Sequence, residues 1–119
     1  MFYKYSIYML YMTMTNDQKR IQKRIEAIQG ELAQLGSMRP GCLSRQYRDP
    51  KLKKGPYFQL SYTAQMKSRT EYIHPDLVPQ IEQELLEYRR YRELTQEWVV
   101  LSIELSRLKI KQWKETPDL

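Results

Sequence analysis

The sequence has little of the two residue types that most metal sites and many catalytic sites require. Its 119 residues include one cysteine, Cys42, and one histidine, His74. A structural zinc site needs about four ligands, mostly Cys and His, and a catalytic triad needs a histidine with an acidic partner. We therefore expect no enzymatic activity, no metal, no cofactor and no small-molecule substrate. A single cysteine also excludes an internal disulfide and suits a reducing compartment, so we predict a cytoplasmic protein.

Phosphate-binding loops and membrane spans are missing from the sequence as well. The chain has four glycines, and none lies in a P-loop pattern. Residues 1–13 are rich in tyrosine and methionine but shorter than the ~20 apolar residues that cross a bilayer, so we expect no membrane partner. We interpret residues 1–14 as an N-terminal extension, disordered or an artefact of the gene model, with translation starting at Met12 or Met14. A strand-like or membrane-touching arm is the alternative.

The positive charge is concentrated in the middle of the chain. The whole sequence has a net charge of +6, from 20 basic and 14 acidic residues. Residues 37–73 contain eight basic and two acidic side chains, so this segment alone accounts for the same +6. A local positive field attracts phosphate or acidic surfaces within about 8–10 Å in physiological salt. An anionic partner is one interpretation, and a solvated basic surface is the other.

Two segments have the apolar spacing of long helices. Isoleucine and leucine recur every three or four positions in residues 16–35, and residues 76–112 repeat the pattern without a glycine. His74, Pro75 and Asp76 interrupt the chain before the second segment. We predict a helical hairpin of the coiled-coil type. The seam of the longer helix consists of Ile81, Leu85, Tyr88, Tyr91, Leu94, Trp98, Leu101, Leu105 and Leu108.

The C-terminal half of the longer helix carries a second apolar stripe, formed by Val99, Ile103 and Ile110. One stripe can pair with the first helix, and the other then needs a further partner, most simply a second copy of the chain. We therefore predict a homodimer. The residues assigned to oligomerisation are Trp98, Val99, Leu101, Ile103, Leu105, Leu108 and Ile110.

Residues 43–73 have the alternating pattern of short strands. Phe58, Leu60 and Tyr62 share one face of the clearest strand, and an isolated hairpin is marginal in water, so this face should pack on a helix. The turn at residues 64–66 lacks the Asn-Gly or Asp-Gly pair that identifies a turn type. The predicted fold is α+β, a helical hairpin with a two- or three-stranded antiparallel meander inserted between the helices. We assign residues 15–112 to one domain and 113–119 to a C-terminal tail.

The meander interleaves basic and aromatic side chains, which makes it the best candidate for function. Basic two-stranded ribbons can enter a DNA major groove, and exposed aromatic rings can stack on unpaired bases. The alternative is that the aromatic residues belong to the core, and we favour the core for Phe58, Leu60 and Tyr62. Tyr57, on the opposite face, fits either interpretation. The predicted nucleic-acid-binding residues are Arg45, Arg48, Lys51, Lys53, Lys54, Tyr57, Lys67 and Arg69.

The turn and strand segments also resemble a family of small uncharacterised prokaryotic proteins. The similarity is carried by residues 36–47 (GSMRPGCLSRQY), 54–62 (KGPYFQLSY) and 67–70 (KSRT). Members often lie near transposase genes, so the resemblance implies a DNA-related role on mobile elements. Many members also have a cysteine cluster between the first two strands, which implies a zinc knuckle. Here residues 48–54 (RDPKLKK) contain no cysteine, and a basic loop takes that place.

These observations lead to two hypotheses about function. The first is a non-enzymatic accessory protein that binds nucleic acid, with DNA favoured, through phosphate contacts of the basic meander. The alternative is an oligomeric coiled-coil adaptor for protein interactions that has no nucleic-acid role.

Overall fold

The structure, a computed structural model, describes residues 13–115. The elements are α1 (Asn16–Ala33), β1 (Cys42–Asp49), β2 (Lys54–Ala64), β3 (Lys67–Ile73), a 3₁₀ turn (Pro75–Leu77) and α2 (Val78–Glu115). The predicted α+β class, with an antiparallel meander between two helices, is confirmed. The N-terminal extension predicted for residues 1–14 lies almost wholly outside the described residues, and α2 continues three residues past the predicted end at 112.

The chain divides into two compact units. The first joins α1 to the part of α2 from Leu94 onward, and the second comprises residues 35–93. The assignment of residues 15–112 to one domain stays a prediction.

In the first unit, α1 and the C-terminal half of α2 run antiparallel. Thr15 begins α1, since its side-chain oxygen accepts a hydrogen bond from the Gln18 N–H at 3.2 Å. Near this end the Gln18 amide donates to Gln112 Oε1 at 3.0 Å. Further along, Arg24 forms a two-pronged ion pair with Glu97, with N–O distances of 2.6 and 2.7 Å. Buried Ile21, Ile25 and Leu105 form the core, with Trp98, Leu101 and Leu108 packed around them.

In the second unit, the three strands pair in the order β1-β2-β3, and both pairings are antiparallel. Leu60 at the centre of β2 is fully buried and forms a core with Ile73 and Ile81. Phe58 and Tyr62 pack against this core, as do Leu43 and Leu85. The prediction that the Phe58, Leu60 and Tyr62 face lies against a helix is therefore confirmed, and that helix is the start of α2.

Two backbone features fix the ends of the strands. Gly41 has φ of +140°, and a Cβ atom there would lie 2.9 Å from Leu60 Cδ1, so the chain can approach β2 this closely only with glycine. Gln65 and Met66 join β2 to β3 in a two-residue turn with φ of 52° and 64°. Positive φ at both positions is the mark of a type I′ turn, which matches the twist of paired strands. This resolves the turn type that the sequence left open.

Candidate nucleic-acid interface

One face of the sheet packs on α2, and the other carries polar side chains. Alternate residues of each strand point to this second face, which we call the open face. None of its members is buried, and none is acidic. They are Cys42, Ser44, Gln46, Arg48, Tyr57, Gln59, Ser61, Thr63, Ser68, Thr70 and Tyr72. The open face is thus a polar surface that contains two tyrosines and whose single charged member is Arg48.

The two tyrosines stack on each other. Tyr72 lies opposite Gln59 in the β2–β3 register, which makes it the diagonal neighbour of Tyr57. The ring centroids are 6.5 Å apart with an interplanar angle of 29°. Tyr72 is 60% exposed, so one ring of this pair remains largely available to a ligand. We call this pair the tyrosine platform.

Amide side chains border the platform on the open face. Gln46 lies opposite Tyr57, and Gln59 lies opposite Tyr72. The Gln46 amide donates to Ser44 Oγ at 3.3 Å, and the Ser44 hydroxyl donates to the Gln59 backbone carbonyl at 3.4 Å. Each amide has both a donor and an acceptor, so these groups can hydrogen-bond to the edge of a base that stacks beside them.

Basic residues gather at the end of the sheet where β1 turns into β2. Arg48 lies opposite Gly55, two residues before Tyr57 on β2, so Arg48 and Tyr57 are diagonal neighbours on the open face. That places their Cα atoms roughly 7–8 Å apart. The intervening turn is held by Asp49, whose carboxylate accepts from the Leu52 N–H at 3.3 Å. We call this group the basic end, and all of its members are exposed: Arg48, Lys51, Lys53 and Lys54.

The structure does not bring the remaining predicted residues to this site. Lys67 pairs with Ala64, ten residues along β2 from Lys54, which corresponds to roughly 33 Å at the usual rise per residue. Arg69 lies opposite Tyr62 on the face that packs on α2. Arg45 is on that face as well, with its guanidinium over the rings of Tyr47 and Phe58 at 5.4 and 5.9 Å. The predicted basic residues are therefore divided between two ends and two faces.

Sequence reasoning also missed one member of the site, Tyr72. The alternation of β3 places it on the side opposite Ile73, and that signal was present in the sequence. Its position beside Tyr57 depends on the pairing register, which follows from the two-residue turn at Gln65 and Met66.

The covered face of the sheet holds a charged cluster that braces the strands. The Tyr62 hydroxyl donates to Glu71 Oε1 at 2.6 Å, and Arg39 lies 3.6 Å from the other Glu71 oxygen. The Arg39 guanidinium also lies over the Tyr62 ring, 4.8 Å from its centroid. The hydrogen bond to Glu71 raises the pKa of Tyr62, with smaller opposing effects from Arg39 and Arg69. The Tyr62, Glu71 and Arg39 side chains contact one another within the chain, although the buried Arg39 Nε has no hydrogen-bond partner among the described residues, and we assign the cluster a structural role.

The residues predicted for oligomerisation have two different environments. Leu105 is buried against α1, and Trp98, Leu101 and Leu108 pack beside it. Val99, Ile103 and Ile110 are 58%, 49% and 52% exposed. Homodimer formation stays a prediction, and only the exposed members can serve it while the first unit is intact.

The described part of the chain contains no cluster suited to a metal ion. Within residues 13–115, no three His, Cys, Asp or Glu side chains come together in a way that could hold one. His74 lies at the start of the 3₁₀ turn, where its Nδ1 accepts from the Asp76 N–H at 3.1 Å. In the same range, neither helix combines the length and the apolar character needed to cross a bilayer.

Comparison with known protein families gives a match. The model of a family described as a domain of unknown function, DUF6788, matches residues 18–83, more than half of the chain. This segment contains most of α1, the whole sheet and the first residues of α2. Neither the curated proteins nor the solved structures include a match. An association with mobile elements is not addressed by these comparisons and stays a prediction. On the extent of the family match, the chain belongs to the DUF6788 family.

Proposed function

We propose that this protein binds single-stranded nucleic acid on the open face of its sheet and catalyses no reaction. The observation that carries the proposal is the tyrosine platform, a stacked ring pair on a sheet face without acidic residues and next to the basic end. Base–aromatic stacking is worth about 1–3 kcal/mol per base and tolerates any base, because every base has a π-face. The basic end then supplies contacts to the phosphates beside the stacked bases.

A single strand fits this surface better than a duplex. Bases in a duplex are stacked on each other, so their faces are closed to tyrosine rings, whereas unpaired bases can turn outward. A ribbon that enters the major groove would instead rely on phosphate contacts along both flanks. Here Lys67, beside the β2–β3 turn, is roughly 33 Å from Lys54 in the basic end, which does not favour a single contiguous phosphate contact surface.

The biological setting of this activity rests on the sequence alone. Resemblance to proteins encoded near transposases supports DNA as the ligand and an accessory role on mobile elements. The single cysteine supports a cytoplasmic location. The ligand type, the accessory role and the location are thus supported by the sequence. The geometry of the open face supports only the binding of a single strand.

Binding of labelled oligonucleotides tests the proposal directly. Single-stranded DNA and RNA of about 12 nucleotides, with the matching duplexes, would be titrated with the full chain at ~50 mM salt, where phosphate contacts are strong. We expect the single strands to bind more tightly than the duplexes. Tyr57→Ala and Tyr72→Ala should each weaken binding roughly five- to a hundredfold, because each removes a stacking surface.

A second tyrosine pair provides a matched control. Tyr88 and Tyr91 stack on α2 with centroids 6.2 Å apart and an interplanar angle of 28°, nearly the same geometry outside the sheet. Tyr91→Ala should leave binding unchanged, and Tyr57→Phe should keep most of it because the ring remains. Absence of single-strand binding, or equal losses from Tyr91→Ala and Tyr72→Ala, would exclude the open face as the binding site.

A further inference from the structure

The C-terminal half of α2 exposes large apolar side chains that the first unit does not cover. Ile103 lies two residues from Leu101 and from Leu105, which is roughly 160° around a helix of about 3.6 residues per turn. Since those leucines face α1, the side of α2 around Ile103 faces away from it. We call this surface the outer stripe. Its members are Val99, Val100, Ile103, Ile110 and Trp113, with exposures of 58%, 62%, 49%, 52% and 78%.

The outer stripe has the spacing of a helix-packing surface. Val99, Ile103, Ser106, Ile110 and Trp113 follow one another at intervals of four, three, four and three residues, the repeat by which coiled-coil helices pack. The small side chain at Ser106 leaves a shallow hollow between its larger neighbours. Isolated exposed apolar residues are ordinary, but a continuous stripe bordered by charges marks an interaction surface.

The charges along the outer stripe are mostly positive. Residues 104–115 contain four basic side chains against two acidic ones, Glu104 and Glu115 at the two ends of this segment. All four basic side chains are exposed, and none forms an ion pair with another described residue. Arg107 lines two shallow hollows along the stripe, and Lys111, Lys114 and Glu115 border Ile110. The fourth basic residue of this segment is Lys109.

We propose that the outer stripe is a docking site for an amphipathic helix with acidic flanks, supplied by a different protein. The apolar seam of that helix would pack on Val99, Ile103 and Ile110, and its carboxylates would pair with the basic residues along the stripe. Apart from Trp113, the members of the stripe are branched aliphatic side chains, which offer no flat surface for a base, so the stripe suits a protein ligand.

Two other possible occupants, a second copy of the chain and the chain's own residues 1–12, fit these charges less well. In a parallel pair of copies, the four basic residues would face the same four basic residues of the other copy, and these like charges would repel. In an antiparallel pair centred on Ser106, they would meet residues 98–105 of the other copy, where Glu104 is the sole acidic residue. The chain's own residues 1–12 contain no acidic residue. Charge complementarity thus selects a separate acidic helix.

Designed peptides test this inference on the full chain. The probe is a labelled helical peptide of about four heptads with leucine at the core positions and glutamate at the flanking positions. One control peptide has lysine in place of glutamate, and another has alanine in place of leucine. By fluorescence anisotropy at low salt, we expect the acidic peptide to bind at least about tenfold more tightly than either control.

Variants of the chain then locate the binding surface. The double variant Ile103→Gln/Ile110→Gln should lower affinity for the acidic peptide about tenfold or more, with an unchanged circular dichroism spectrum because both side chains are exposed. Leu86→Gln is the matched control, since Leu86 is a 51% exposed leucine of α2 outside the stripe. Arg107→Glu/Lys111→Glu should reverse the preference toward the lysine peptide.

Several results would overturn the inference. Equal binding of the acidic and lysine peptides would remove the charge argument, and binding that survives Ile103→Gln/Ile110→Gln would place the peptide elsewhere. A dimer in light scattering that this double variant dissociates would identify a second copy as the occupant. Binding that emerges only after deletion of residues 1–12 would assign the stripe to the chain's own N-terminal segment. None of these outcomes bears on nucleic-acid binding by the tyrosine platform.

Discussion

The two ends of the sheet should contribute unequally to the binding of a short single strand. Arg48 and Lys53 lie at the end next to the tyrosine platform, whereas Lys67 and Arg69 lie near the opposite end. Lys67 lies roughly 33 Å along β2 from Lys54, more than three times the screening length of roughly 8–10 Å, and Arg69 lies on the covered face of the sheet. A strand that runs over the open face from the platform toward the basic end therefore reaches the first pair and not the second. Each phosphate contact to a single strand contributes about 0.7 to the slope of log K against log salt concentration.

Two double variants that each remove two positive charges make the comparison. Arg48→Gln/Lys53→Gln should reduce the salt slope by about 1.4 and weaken binding at low salt. Lys67→Gln/Arg69→Gln should leave the slope within error of the unmodified chain, because it changes net charge equally but at positions that the strand does not contact. Fluorescence anisotropy titrations at four or more salt concentrations give both slopes. Equal reductions by the two variants would refute the placement of the strand, since they would show that it spans the sheet or responds only to net charge.

Two further predictions concern the sheet itself. Gln65→Asn/Met66→Gly should raise the free energy of unfolding by about 1–2 kcal/mol, because both positions have positive φ, which costs ordinary residues about 1–2 kcal/mol each; a urea midpoint that stays the same or falls would contradict a type I′ turn. The bond from Tyr62 to Glu71 raises the pKa of Tyr62, so its stabilising effect is complete below the unfolded pKa of about 10 and is lost as pH rises through the higher folded pKa. Above pH ~10 the unmodified chain should therefore lose stability more steeply than Tyr62→Phe. Urea unfolding from pH ~8 to ~11 measures this, and the same pH dependence of the free energy of unfolding in both chains would exclude a contribution from Tyr62.

Local patterns in the sequence were sufficient for the secondary structure and for the main packing choice in the sheet. Apolar spacing of three and four residues identified both helices, since a helix buries one face only if its apolar residues recur at that period. Alternation in β2 placed Phe58, Leu60 and Tyr62 on the covered face, because a strand with one solvent-exposed face has its apolar residues at every second position. The scarcity of cysteine and histidine likewise argued against a zinc site before any fold was known.

Tertiary structure decided which of these residues share a surface. The charge concentration in residues 37–73 suggested one basic patch, but antiparallel pairing sends β2 away from the β1–β2 turn and separates Lys54 from Lys67 by the length of the strand. Pairing also brought Tyr72 beside Tyr57, through a turn whose type its residues do not indicate. Both stripes of α2 are apolar, and α1 covers only one because a helix contacts a single side of its neighbour. Composition and period are local properties of the chain, whereas a binding surface depends on register and on which face a neighbour occupies.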